Sequence, residues 1–184
     1  MAYPRHGLRF GEINETNGTA EEVAAIKKIG RIVGPMNAVL RVPQYAINFS
    51  RMGDFFFKQQ VIPRDVHELA IIYVGRHWNA QFEWFAHRAI AIKEGLPAHI
   101  CDAIEQGRRP ENMNENQRIV YDFTAELIQN KGVSDKTYAE AKAKFGEKGI
   151  IHLIGVIAFY TSVCMVLNVD KFPVPEGVTP MARL

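Results

Sequence analysis

The chain has 184 residues, 47% of them hydrophobic and 23% charged, with a formal net charge of +2. This is ordinary globular composition, and the length suffices for one domain with a buried core. No basic run is long enough to track a phosphate backbone, so no nucleic-acid partner is expected.

Taken in chain order, the helix signals are frequent. Thr19 and Glu22 form a capping-box pattern that opens a helix expected to end near Gly34-Pro35. Pro43 can start a second, running through Phe55 to Phe57. Pro63 reads as the first position of a third, with Asp65 in its opening turn to suit the helix dipole. Val66, Leu69, Ala70, Ile72 and Tyr73 give that segment its helical period. Trp78-Asn79 reads as a break, with Asn79 as N-cap of a helix that ends at Gly95. Pro97 opens a short helix ending at Gly107, and Asn114 with Gln117 makes a second capping-box pattern for a helix to about Asn130. Ser134 or Asp135 caps the next, which stops at Gly146, and the last runs from about Glu147 to Asn168. No alternating β pattern of useful length occurs. The expectation is therefore an all-α single domain over residues 1–184, with about seven or eight helices. Residues 1–18 and 170–184 are expected to be extended terminal segments, the proline-rich tail lying over the surface or a neighbouring subunit.

Residues 149–169 are about long enough to span a bilayer. They contain His152, Thr161 and Ser162, and the other helices need a common centre, so this segment is expected to be a helix buried on nearly all sides, not a membrane span. The first eighteen residues hold no apolar stretch of the secretory kind. Cys101 and Cys164 lie far apart without metal-ligand spacing and read as reduced, buried thiols. Together these point to a cytoplasmic protein.

The chemistry is concentrated in ELAIIYVGRHWNAQFEWFAH, residues 68–87. It supplies Glu68, Glu83 and His87, two carboxylates and an imidazole set in apolar sequence. Glu83 and His87 are four apart and share one face of a helix. A carboxylate beside an imidazole fixes its tautomer and raises its basicity. The same spacing suits an ordinary surface pair, but Phe82, Trp84 and Phe85 around it suggest partial burial. If the break at Asn79 is real, Glu83 falls in the first turn of its helix and Glu68 can fold back beside His87.

On these residues the chain resembles the carboxymuconolactone decarboxylase family, which shares its fold with the AhpD alkylhydroperoxidases. The resemblance extends from about Gly34 to Pro175 through GPMNAVLRVPQYA, the EGL at residues 94–96, the GRRP at 107–110 and the aromatic-rich last helix. In the AhpD pattern a Glu precedes a Cys-x-x-Cys and then a His. Here the Glu matches Glu68 and the His matches His87, while the cysteine positions hold Ala80 and Glu83. The frame is kept without its thiols, as in the decarboxylase-type branch. The resemblance implies a compact helical unit forming trimers or hexamers and needing no cofactor; it does not imply a metal, although His87, Glu83 and Glu68 could on paper supply three ligands. It also implies a lyase of aromatic-compound catabolism acting on a small carboxylated lactone or enol-type acid.

In that reading His87, Glu83 and Glu68 are the catalytic candidates, with protonated His87 as the acid toward carbon. Arg76 is a candidate for holding a substrate carboxylate. His152 and Tyr160, eight apart on the last helix, and Trp84 are further candidates for lining the pocket. Lactone hydrolysis or isomerisation would use the same groups. An AhpD-like peroxidase would need Cys101 and Cys164 to meet, and a non-catalytic oligomeric binding protein would need no converged site at all.

Overall fold

The structure, a computed structural model, describes residues 8–182. Among these residues there are eight helices and no strand. They are α1 (Ala20–Ile29), α2 (Met36–Val39), α3 (Pro43–Lys58), α4 (Arg64–His77), α5 (Gln81–Lys93), α6 (Ala98–Glu105), α7 (Glu115–Asn130) and α8 (Asp135–Asp170). Both capping boxes form: Thr19 with Glu22 at α1 and Asn114 with Gln117 at α7. Ser134 caps α8, its hydroxyl accepting from the Thr137 backbone N–H at 3.2 Å. Gly146, at φ 66° and ψ 177°, interrupts α8, so the helix has two arms meeting where a stop is expected.

Four local expectations need correction. First, α1 stops at Ile29 rather than near Gly34, because Gly30 takes φ 81°, and the short α2 follows. Second, Pro63 is the N-cap of α4, not its first residue. Third, Asn79 does not cap α5. It takes the left-handed conformation at φ 48° after the end of α4, and Ala80 precedes α5 with no side-chain cap.

The fourth correction concerns which helix is central. The core is one contiguous cluster, and α4 is its centre, with every residue from Val66 to Arg76 buried. It packs on α5, α6, α7 and α8. Each fully buried Leu or Ile there stabilises the fold by about 1.5–3 kcal/mol relative to exposure. Helix α8 is covered on one side only. Ile151, Ile154, Met165 and Val169 form an exposed stripe along its outer face, because its neighbours all lie on the other face. By length and composition α8 could cross a membrane, yet 56% of its most apolar window is buried within the chain.

The described parts of the terminal segments, residues 8–18 and 170–182, are pinned. Asp170 accepts from the Phe10 N–H at 3.0 Å through its carboxylate, and from the Arg9 N–H at 3.1 Å through its carbonyl. Asn37 accepts from the Ile13 N–H at 2.9 Å. The tail lies over the start of α5, where the Gln81 side chain accepts from the Met181 N–H at 2.7 Å and donates to the Met181 carbonyl at 3.1 Å. The expected extended character of residues 1–7 falls outside the described residues.

Candidate functional site

The reversal at residues 78–80 lays α5 against α4, and this brings the three acid–base residues together. Glu68 lies in the second turn of α4 and is fully buried. Glu83 lies in the first turn of α5, where the helix dipole favours a carboxylate. His87 Nδ1 is 2.7 Å from Glu68 Oε2. The other Glu68 oxygen accepts from Arg64 Nη2 at 3.1 Å. On the far side of the ring, His87 Nε2 is 3.0 Å from Glu83 Oε1. That second contact is an ion pair without hydrogen-bond alignment, and Glu83 Oε1 has no aligned hydrogen-bond donor among the described residues. Tyr160 meets the imidazole edge to face, the ring centroids 5.0 Å apart.

The electrostatics follow from this geometry. Burial alone would push the His87 pKa down. The Glu83 charge and the contacts to both carboxylates outweigh it and push the pKa up to about 10. At neutral pH His87 is therefore an imidazolium. Burial, with the two carboxylates nearby, holds the Tyr160 hydroxyl well above its usual range, so it stays a proton donor in hydrogen bonds. Glu68 is a buried anion held by one cation on each oxygen, which fixes the ring plane of His87.

Glu83, His87 and Tyr160 face a cleft of about 350 Å3, whereas Glu68 sits behind the imidazole. Aromatic rings of Phe49, Phe57, Phe82 and Phe159 make its walls. Arg31 and Asp54 stand at its exposed rim. The loop carrying Arg31 reaches the cleft because Gly34 takes φ 58° and lets the chain pass against the Phe82 ring.

The other expected site residues lie elsewhere. Arg76 lines a different cleft with Tyr73, His77 and Arg108 and donates to Asn79 Oδ1 at 2.6 Å. Eight residues separate it from Glu68, about 12 Å along the helix. Trp84 is buried and borders a groove shared with Arg88 and the tail residue Pro180. His152 does not line the Tyr160 cleft. Eight residues leave an offset of about 80° around a helix, and His152 turns instead to His67, with 3.4 Å between Nε2 and Nδ1. Burial first, then Arg64, His152 and His87, push the His67 pKa down to about 3.

Sequence reasoning did not single out Arg64 or Arg31, and of the phenylalanine walls it placed only Phe82 beside the pair. The Arg64 signal was present, since it precedes Glu68 by four on one helix face. Arg31 carried none, because only the folded loop brings it to the cleft. Among the described residues no group of three or more His, Cys, Asp or Glu is arranged to hold a metal ion. Cys101 and Cys164 are free and buried. Burial raises both thiols, Cys101 to about 11 and Cys164 well above the ordinary thiol range.

No protein-family model and no curated protein sequence matches the chain. Among solved structures, the crystal structure of the debrominase Bmp8, in a cysteine-to-alanine variant bound to 2,3,4-tribromopyrrole, is similar with a TM-score of 0.71. The likeness covers 94% of this chain and 95% of that one. The fold is AhpD-like. At 11% identity the likeness is one of fold, and the roles of individual residues rest on the geometry above.

Proposed function

We propose that the chain is an acid–base enzyme of the AhpD-like fold, a cofactor-free lyase that removes CO2 from a small carboxylated lactone or enol-type acid. The observation that carries this reading is His87, held as an imidazolium between Glu68 and Glu83 on the wall of an aromatic cleft.

The steps follow from the groups present. The substrate ring lies between the phenylalanine walls, with a retained carboxylate toward Arg31. The bond to the leaving carboxylate breaks, and its electron pair moves into the conjugated carbonyl, giving an enolate and CO2. The Tyr160 hydroxyl donates a hydrogen bond to the oxyanion that develops. The Nε2–H of His87, which meets Glu83 Oε1 at 3.0 Å without hydrogen-bond alignment, is the proton that moves to substrate. It protonates carbon, which leaves a neutral imidazole. Water in the open cleft restores the proton, favoured by the two carboxylates. Glu68 touches no substrate in this scheme and is a positioning residue.

An imidazolium favours an acid role over a base role, and this supports decarboxylation over hydrolysis or isomerisation on the same frame. The buried, protonated thiols speak against a peroxidase. The ring bound by the structural neighbour is a planar heterocycle, so small heteroaromatic acids belong among the substrates to be tried. The test is a panel of muconolactones and such acids, followed by ultraviolet absorbance and CO2 release. Release from at least one substrate supports the reading. Absorbance change without CO2 would favour isomerisation or hydrolysis, and no turnover across the panel would favour a binding protein.

We also propose that the chain forms a homo-oligomer through the exposed stripe of α8 and the exposed Met52 and Phe55 of α3. Large apolar side chains left exposed along helix faces in this way are what association sites bury. Light scattering of the wild type against Ile151→Glu tests it: a trimer or hexamer that the substitution dissociates is expected, and a wild-type monomer would contradict it.

A further inference from the structure

The second cleft contains a buried cation that has no ion-pair partner among the described residues. Arg76 is only 4% exposed. Its Nη1 donates to Asn79 Oδ1, but its Nε–H is buried with no acceptor among the described residues. Among the described residues no carboxylate lies within ion-pairing distance of it, and Glu105 acts on it only by longer-range attraction. Burying an unpaired charge is costly, and proteins ordinarily avoid it by supplying a partner. Here the missing partner is an anion.

The cleft beside Arg76 has the chemistry to hold one. It measures about 130 Å3 and no carboxylate lines it. At about 30 Å3 for each water, that is room for about four waters or one compact oxyanion. Donors converge on it from three helix environments. Tyr73, on α4, accepts from Gln129 Nε2 at 2.7 Å, which leaves its own O–H to donate inward. Tyr121, on α7, stands edge-on to Tyr73 with centroids 5.3 Å apart, and its hydroxyl has no hydrogen-bond partner among the described residues. Arg108, just beyond α6, engages Gln106 Oε1 through Nε and Nη2, which leaves Nη1 free. Two guanidinium groups and two hydroxyls thus face a small polar space that lacks a negative charge.

We infer that this cleft is an anion-binding site, distinct from the His87 cleft, for a compact oxyanion of the phosphate or carboxylate type held by Arg76, Arg108, Tyr73 and Tyr121. The two clefts share no lining residue. The small volume admits the oxyanion or a terminal group of that size, and excludes an aromatic acid.

The test is calorimetric titration of the full chain with inorganic phosphate and, separately, acetate, at ionic strength held constant with chloride. The Nε–H resonance of Arg76 is followed in parallel. Binding of one of the two anions with a shift of that resonance is expected, and which anion binds more tightly separates a phosphate site from a carboxylate site. Arg76→Gln should weaken binding about tenfold or more, since a hydrogen bond to a charged group contributes on that scale. Should Arg76→Gln fail to fold, Tyr73→Phe and Arg108→Gln carry the test, each weakening binding severalfold. His87→Ala should bind like wild type. No binding of either anion, binding unchanged in all three cleft variants, or loss of binding in His87→Ala would each overturn the assignment.

Discussion

Glu68 Oε2 and His87 Nδ1 lie 2.7 Å apart although nineteen residues separate them in the chain. The contact exists because α4 ends at His77, Asn79 reverses the backbone at φ 48°, and α5 returns along α4. With Glu83 on the other ring nitrogen, the imidazole is held in its charged form.

The charge state can be checked directly. Nitrogen NMR of His87 should show both ring nitrogens protonated at pH 8, with loss of one proton only near pH 10. The folded value lies above the ordinary 6.5, so the stability it contributes is fully present below about pH 6.5 and is lost as the pH rises through about 10. Glu83→Gln removes one charge while keeping the shape, and should move the titration to lower pH. A His87 that titrates near 6.5 in the wild type would contradict the geometry.

Glu68→Gln should cost more than Glu83→Gln. It removes the counter-charge of Arg64, whose side chain is 12% exposed. Leaving such a largely covered cation without its carboxylate costs up to about 3–5 kcal/mol. Chemical denaturation of the two variants should separate them by well over 1 kcal/mol, and equal stabilities would show that Arg64 finds water instead.

His67 should set the acid limit of stability. Its folded pKa of about 3 lies below the ordinary 6.5. The stability tied to its neutral form is present above about pH 6.5 and is lost as the pH falls toward 3. His67→Gln, which cannot charge, should flatten the fall in melting temperature between pH 6 and pH 4. An unchanged slope would place the acid limit in other groups.

Much of the fold was legible, and the misses have physical causes. The capping boxes at Thr19 and Asn114, Pro43 and Gly146 mark helix ends because each acts through local backbone geometry. Asn79 marks a break in either reading, but asparagine both caps helices and tolerates the left-handed conformation. Only the folded chain shows which it does. The central position of α4 was not legible. Its His67, Glu68 and Arg76 make it less apolar than α8, and burial depends on where neighbours sit rather than on the helix's own composition. Tyr160 reached the His87 cleft and His152 did not, for the same reason that eight residues overshoot two turns.

The loop between α1 and α2 should govern substrate affinity. A Cβ on Gly34 would lie 2.9 Å from the Phe82 ring, at a φ of 58° that disfavours any side chain. Gly34→Ala should therefore destabilise by about 1–2 kcal/mol from the backbone alone and raise KM by displacing Arg31. Arg31→Gln should raise KM without the stability loss. Unchanged KM in both variants would remove Arg31 from the site.

The most direct measurement is the rate of CO2 release by wild type and His87→Ala, on the best substrate from the panel, with folding and assembly of the variant verified. A general acid contributes about 10²–10⁴-fold, so kcat should fall by that order in His87→Ala. A variant that folds, assembles and releases CO2 at the wild-type rate would contradict the assignment of His87 as the proton donor.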